Sequence, residues 1–201
     1  MLIGVDFDNT IVRYDELFHR VAVEENLIPA SVPVSKEKVR DYLRSLGKEE
    51  DWTKMQGLVY GARMQEAAAF PGVLEFFARC VKQQVPVCIV SHKTRYPYLG
   101  HPWDLHAAAR GWLESQGFFD AERIGLSPDR VYFELTKQEK LARIGKNGCT
   151  QFIDDLPEFL TEANFPAGVD RILFDPQNHH LSGHPLSRAA SWAEIEQLIS
   201  C

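Results

Sequence analysis

Met1-Leu-Ile-Gly-Val-Asp-Phe-Asp-Asn-Thr10 decides the fold. Leu2 to Val5 is an apolar run too short for a helix and closed by turn formers, which is the pattern of a buried strand. The run stops abruptly at Asp6-Phe7-Asp8-Asn9-Thr10, so two carboxylates stand at the strand's C-terminal end. In open α/β sheets that end is where ligands bind.

Downstream the pattern changes. Residues 14–69 read as helices with no strand between them. Leu17, Val21 and Val23 mark one helix that stops before Pro29. Ser35 is the expected N-cap of a second, with Val39, Tyr42, Leu43 and Leu46 on one face and Gly47 as terminator. A third pattern covers residues 52–69, with Met55, Leu58, Val59, Ala62 and Met64 on its apolar side. A helical block inserted directly after the first strand suggests a separate lid. From Phe70-Pro71-Gly72 helix and strand alternate again: a helix over 73–84, a β-forming run over 85–90 ending at Ser91, and a helix over 106–116. A strand over 131–133, a helix over 136–146, a strand over 150–153 and a strand over 171–174 follow. Thr136 with Glu139, and Ser191 with Glu194, form capping-box pairs. This alternation implies an α/β fold, a Rossmann-like and mainly parallel sheet flanked by helices, carrying a small all-helical cap. The expected division is 1–13 with 70–201 as the catalytic core, and 14–69 as the cap.

Composition narrows the function. With 201 residues, 45% apolar and 25% charged, the chain suits one well-cored domain with an insertion. A net charge of -6 argues against a nucleic-acid surface, which carries a basic excess. Cys80, Cys88, Cys149 and Cys201 show no paired spacing, so they read as reduced filler rather than a zinc or redox motif. Neither a secretory signal nor a membrane-length apolar stretch is visible, and the expected location is cytoplasmic.

Three expected strands end in telling residues: Asp6 and Asp8, then Ser91, then Asp154 and Asp155. In a parallel sheet these ends point the same way, so the groups converge. Four crowded carboxylates raise one another's pKa values unless a cation is present. Hard oxygen ligands suit magnesium, which shares its remaining positions with water and substrate phosphate.

Asp6-Phe-Asp-Asn-Thr10, Ser91 after an apolar strand, a downstream lysine, and Ile153-Asp-Asp155 together resemble the four motifs of the haloacid dehalogenase (HAD) superfamily. The resemblance covers nearly the whole chain, and the helical insert matches the cap of many members. It implies a Mg2+-dependent phosphatase that hydrolyses a small phosphate monoester, of phosphosugar or nucleotide class, through an aspartyl-phosphate intermediate. Asp6 is then the nucleophile. Asp8 is the acid that protonates the leaving oxygen and then activates water; the dehalogenase branch lacks an acid there. Ser91 hydrogen-bonds the phosphoryl group, and Thr10, an expected substrate contact, leans towards phosphatases over sugar phosphomutases. Asp6, the Asp8 backbone carbonyl and Asp154 hold the metal, with Asp155 either a further ligand or bound to it through water. Lys137 and Lys140 share a helix turn at i, i+3 spacing, and either satisfies the lysine motif, with Lys140 the favoured one.

Residues 91–106 form an unusual stretch rich in aromatic, basic and histidine side chains, and His92, Lys93 and Arg95 are its expected substrate contacts, with Tyr98 and His101 behind them. Lys54, Gln56, Tyr60 and Arg63 are weaker candidates in the cap. His179, His180 and His184 lack a carboxylate at ligand spacing and read as a solvated loop. The expected partner is a small phosphorylated metabolite, with no nucleic acid or membrane. The competing readings are a phosphotransferase or phosphomutase on the same scaffold, and a catalytically silent binding protein.

Overall fold

The computed structural model describes residues 1–180 and 186–199. The strands are β1 (Ile3–Val5), β2 (Val12–Arg13), β3 (Ala68–Ala69), β4 (Val87–His92), β5 (Val131–Glu134), β6 (Gln151–Asp154), β7 (Asp170–Phe174) and β8 (Ser187–Ala189). The helices are α1 (Asp15–Glu24), α2 (Lys36–Ser45), α3 (Glu49–Tyr60), α4 (Val73–Lys82), α5 (Leu105–Ser115), α6 (Lys137–Asn147), α7 (Pro157–Leu160) and α8 (Trp192–Ile199). The chain divides into two compact units: Met1–Val12 with Ala69–Lys93 and Gly117–Cys201, and Arg13–Ala68 with Thr94–Gln116.

The first unit is the α/β one. Its six strands run in the order β5-β4-β1-β6-β7-β8, and every neighbouring pair is parallel. The chain moves outward from β1 through β4 to β5, then returns to β6 and leaves in the opposite direction. That reversal puts the switch point of the sheet at the C-terminal ends of β1 and β6, where Val5 is level with Ile153. On one face Cys88, Val90, Leu141, Ile144, Phe152, Phe159 and Leu173 form a buried cluster. On the other, Phe76, Phe77, Phe118, Phe174 and Trp192 stack edge-on or tilted at 4.9–6.4 Å between centroids. Gly4 sits mid-strand because a Cβ there would lie 2.5 Å from the Phe152 ring. The edge strand β8 had no sequence signal, since three half-polar residues give no periodicity to read.

In the second unit, helices α1, α2 and α3 enclose Phe18, Trp52, Val39, Leu43 and Val59. Ser35 caps α2 as expected, its hydroxyl accepting from the Lys38 N–H at 3.4 Å, and Gly47 follows the helix at φ +71. The third helix is shorter than its apolar pattern suggests. It stops at Tyr60, and a 3-10 turn over Met64–Glu66 precedes β3. Gly61, off helical geometry at φ -103 and ψ -95, is what interrupts it. The sequence division placed residues 94–116 with the core, whereas here they pack within the helical unit. The Trp112 indole N–H donates to the Ala67 carbonyl at 2.9 Å, and Pro97 and Trp103 close over Gly57 and Gly61, where a Cβ would meet them at 2.8 and 2.5 Å. Absent side chains at 57 and 61 are therefore what let this segment in, a packing fact that no periodicity reports.

Candidate active site

Asp6, Asp8, Thr10, Ser91, Lys93, Lys140, Asp154 and Asp155 all belong to the α/β unit, whereas Lys54, Arg63 and Arg95 belong to the helical one. The loop after β1 is pinned first. The Asp6 N–H donates to the Ile153 carbonyl at 2.9 Å, and the N–H groups of Ile11 and Val12 both reach the Phe7 carbonyl. Asn9 takes the left-handed conformation at φ +59, which Asn tolerates better than most residues. This tight turn keeps Asp6 and Asp8 beside the ends of the neighbouring strands.

Asp6, Asp154 and Asp155 come together there: one carboxylate oxygen from each lies within 4.8 Å of the others. Into the cluster reaches Lys140, fully buried on the first turn of α6. Its Nζ lies 2.6 Å from Asp6 Oδ1 and 2.6 Å from Asp154 Oδ2, with the Phe159 ring centroid 4.1 Å away. The capping box that starts α6 is complete, with the Thr136 hydroxyl accepting from the Glu139 N–H and the Glu139 carboxylate accepting from the Thr136 N–H. That cap sets where the first turn begins, and so which lysine faces inward. Lys137 is half-buried and Lys140 is the one that enters the carboxylate cluster.

Burial pushes the Asp6 carboxyl up to about 7, with the charge of Asp154 adding and Lys140 opposing. Burial alone would lower Lys140, yet the adjacent charges of Asp154 and Asp6 outweigh it and raise its pKa. Among the described residues, the Lys140 ammonium thus faces the two buried carboxylates of Asp6 and Asp154, and Asp155 lies beside them. Asp154 is further held by the Leu156 N–H at 2.9 Å. The donor set is all carboxylate oxygen, with two of the three groups buried. It fits a hard divalent cation.

Asp8 stands apart from this trio. Lys93, buried just beyond β4, places its Nζ 2.9 and 2.7 Å from the two carboxylate oxygens of Asp8. Ser91 is buried within β4, level with Phe133 of β5. Thr10 is also buried; its hydroxyl donates to Asp155 Oδ1 at a long 3.5 Å, while its carbonyl accepts from the Trp192 indole at 3.3 Å.

The remaining expected residues lie elsewhere. His92 continues the even-numbered face of β4 with Cys88 and Val90, and its Nε2 lies 3.1 Å from the Leu135 carbonyl. Partial burial lowers its pKa below the ordinary histidine value. Arg95 belongs to the helical unit, where it pairs with Asp104 at 3.2 Å. There too Arg63 is bound to Glu24 and Glu66, and Lys54 pairs with Glu50 at 3.6 Å. His179 and His180 donate their backbone N–H groups to Asp175 at 2.9 Å each, an ordered turn around a buried carboxylate. His184 and Cys201 lie outside the described residues. Cys80, Cys88 and Cys149 are buried thiols, in no disulfide among the described residues. The Lys93–Asp8 pair was not foreseen as such: Lys93 drew attention for its neighbours in sequence, but its partner is 85 residues away.

The sequence matches no protein-family model and no curated protein. The fold matches solved structures over almost its whole length. The HAD hydrolase YfnB from Bacillus subtilis, solved with magnesium, is 15% identical at a TM-score of 0.58, covering 100% of this chain and 98% of that one. A HAD family hydrolase from Deinococcus radiodurans, solved with phosphate and sodium, is 18% identical at a TM-score of 0.57, over 99% and 94% of the two chains. A dehalogenase is 13% identical at a TM-score of 0.59, over 98% and 96%. At such identities the likeness establishes the fold, and it is the HAD fold that the four motifs implied.

Proposed function

We propose that this chain is a Mg2+-dependent phosphatase that hydrolyses a small phosphate monoester, of phosphosugar or nucleotide class, through an aspartyl-phosphate on Asp6. The observation that carries the reading is the buried cluster of Asp6, Asp154 and Asp155 around the Lys140 ammonium at the sheet's switch point. The solved neighbours with magnesium and with phosphate support it. Asp6, Asp154 and Asp155, with the Asp8 backbone carbonyl, would hold the metal. When bound, Mg2+ neutralises the nucleophile and the phosphoryl oxygens, so that two anions can meet.

The chain's own residues supply the rest. The Asp6 carboxylate attacks phosphorus, and the bond from phosphorus to the ester oxygen breaks. Asp8 gives its proton to that oxygen, then takes one from the water that attacks the aspartyl-phosphate and frees Asp6. Lys140 holds the Asp6 carboxylate in place and contributes a fixed positive charge. Ser91 donates a hydrogen bond to the phosphoryl group. The dehalogenase among the neighbours raises carbon–halogen cleavage as a second reading; Asp8, an acid with no task in that chemistry, favours phosphate.

Purified protein assayed with Mg2+ against a broad panel of phosphate esters, beside Asp6→Asn, tests the reading. Turnover by the unmodified protein, abolished by Asp6→Asn and by EDTA, is expected. Turnover that survives Asp6→Asn would overturn it, as would none on any ester.

A further inference from the structure

Asp8 must meet two different oxygens in one cycle, the leaving oxygen and then the attacking water. Its carboxylate is at the end of a short side chain in a loop, partly open to solvent, and the loop turn fixes its backbone but not its χ angles. Lys93 supplies what the loop lacks. Its side chain is 3% exposed, its ammonium lies 5.5 Å from the Phe7 ring centroid, and it reaches both oxygens of Asp8 at 2.9 and 2.7 Å. Its own backbone is tied down, since the Lys93 N–H donates to the Glu134 carbonyl at 2.8 Å and so extends the β4–β5 ladder by one residue. A buried cation on a fixed strand end thus grips the one acidic side chain of the site that lies outside the carboxylate trio.

We infer that Lys93 is a positioning residue for Asp8, holding the carboxylate in the orientation that proton transfer needs rather than binding the substrate phosphate itself. The inference rests on the phosphatase reading and deepens it. The two lysines then divide the work: Lys140 serves the nucleophile and Lys93 serves the acid. As Asp8 turns one oxygen towards substrate or water, the other keeps the ammonium, so the side chain swings about a fixed contact. General acid–base groups contribute about 10²–10⁴-fold to rate, and only when correctly placed. Loss of Lys93 is therefore expected to remove about 10–100-fold of that.

The test is a double-mutant cycle of Lys93→Met and Asp8→Asn, read in steady-state turnover with Mg2+ and an aryl phosphate, whose phenolate leaves without help and keeps Asp8→Asn measurable while water activation still needs Asp8. With Asp8 present, Lys93→Met is expected to lower kcat with little change in KM, and Lys93→Arg to recover part of the loss. With Asn at position 8, the same lysine change is expected to cost less than about 3-fold. Equal losses in both backgrounds, carried mainly by KM, would mean that Lys93 binds phosphate directly, and would overturn the inference while leaving the phosphatase reading intact. An unchanged kcat per folded molecule with lowered Tm would overturn it in favour of a structural role. Should Lys93→Met not fold, Lys93→Gln takes its place in the cycle. No turnover by the unmodified protein on any phosphate ester overturns the phosphatase reading and this inference together.

Discussion

Replacing Lys140 by Met tests the electrostatics of the site without reference to any substrate. The side chain is 4% exposed and its ammonium touches both Asp6 and Asp154 at 2.6 Å. Asp6 already sits at about 7, so at neutral pH it carries part of the strain of burial. With the cation gone, Asp154 also loses its counter-charge while remaining fully buried. The protein then keeps an unpaired buried carboxylate or takes up a second proton. The second route caps the cost. Each pH unit by which an aspartate is held protonated above its ordinary value is worth about 1.36 kcal/mol, so at pH 7 the cap is about 4 kcal/mol and at pH 5 about 1.6 kcal/mol, starting from 3.8. Breaking a buried pair by removing one partner costs a similar 3–5 kcal/mol or so. A group whose folded pKa is raised destabilises as pH climbs past its unfolded value, so the deficit grows from pH 5 to pH 7. Urea unfolding in EDTA at both pH values measures it. The expected result is a deficit of about 3–4 kcal/mol at pH 7 that falls by at least half at pH 5, against less than about 0.5 kcal/mol for the half-buried Lys137→Met. A deficit below about 1 kcal/mol at pH 7, or one that does not change with pH, would refute the reasoning.

Two further outcomes concern the helical unit. Gly61→Ala puts a Cβ at 2.5 Å from Trp103 Cβ, so the loop over α3 has to shift; a loss of about 1–3 kcal/mol in thermal unfolding is expected, and an unchanged Tm would mean that the loop does not rest there. Hydrogen bonds from Arg63 and then Arg20 hold the Glu66 carboxyl down at about 2, against an ordinary 4.5. Its contribution is present above 4.5 and lost as pH falls towards 2, but the side chain is 39% exposed and solvent screening limits it. Glu66→Gln should cost about 0.5–1 kcal/mol at pH 7 and nothing at pH 2, and an equal cost at both values would show that charge is not the cause.

Much of the fold was legible because its signals are local. Short β-forming runs over 2–5, 85–90 and 150–153, each closed by turn formers, carry the strand signal locally, and the acidic or hydroxyl residues at their ends converge once the strands are parallel. Ser35, Gly47 and the Thr136–Glu139 box are read from side-chain chemistry within one turn, so they too were visible in advance. The sequence by itself therefore determined the α/β class and the helical insertion, and it placed Asp6, Asp154 and Asp155 at strand ends that the fold brings together. The sequence already favoured Lys140, and tertiary structure decided which carboxylates the two lysines reach. Helical phase points Lys140 rather than Lys137 into the cluster, and the extra residue on the β4–β5 ladder carries Lys93 to Asp8. It also decided that residues 94–116 pack within the helical unit, because the two missing side chains at Gly57 and Gly61 make room for Pro97 and Trp103. The pairings Gly57–Pro97, Gly61–Trp103, Lys93–Asp8 and Lys140–Asp6 join residues from 40 to 134 positions apart, through shape and charge in three dimensions, and no periodicity along the chain encodes them.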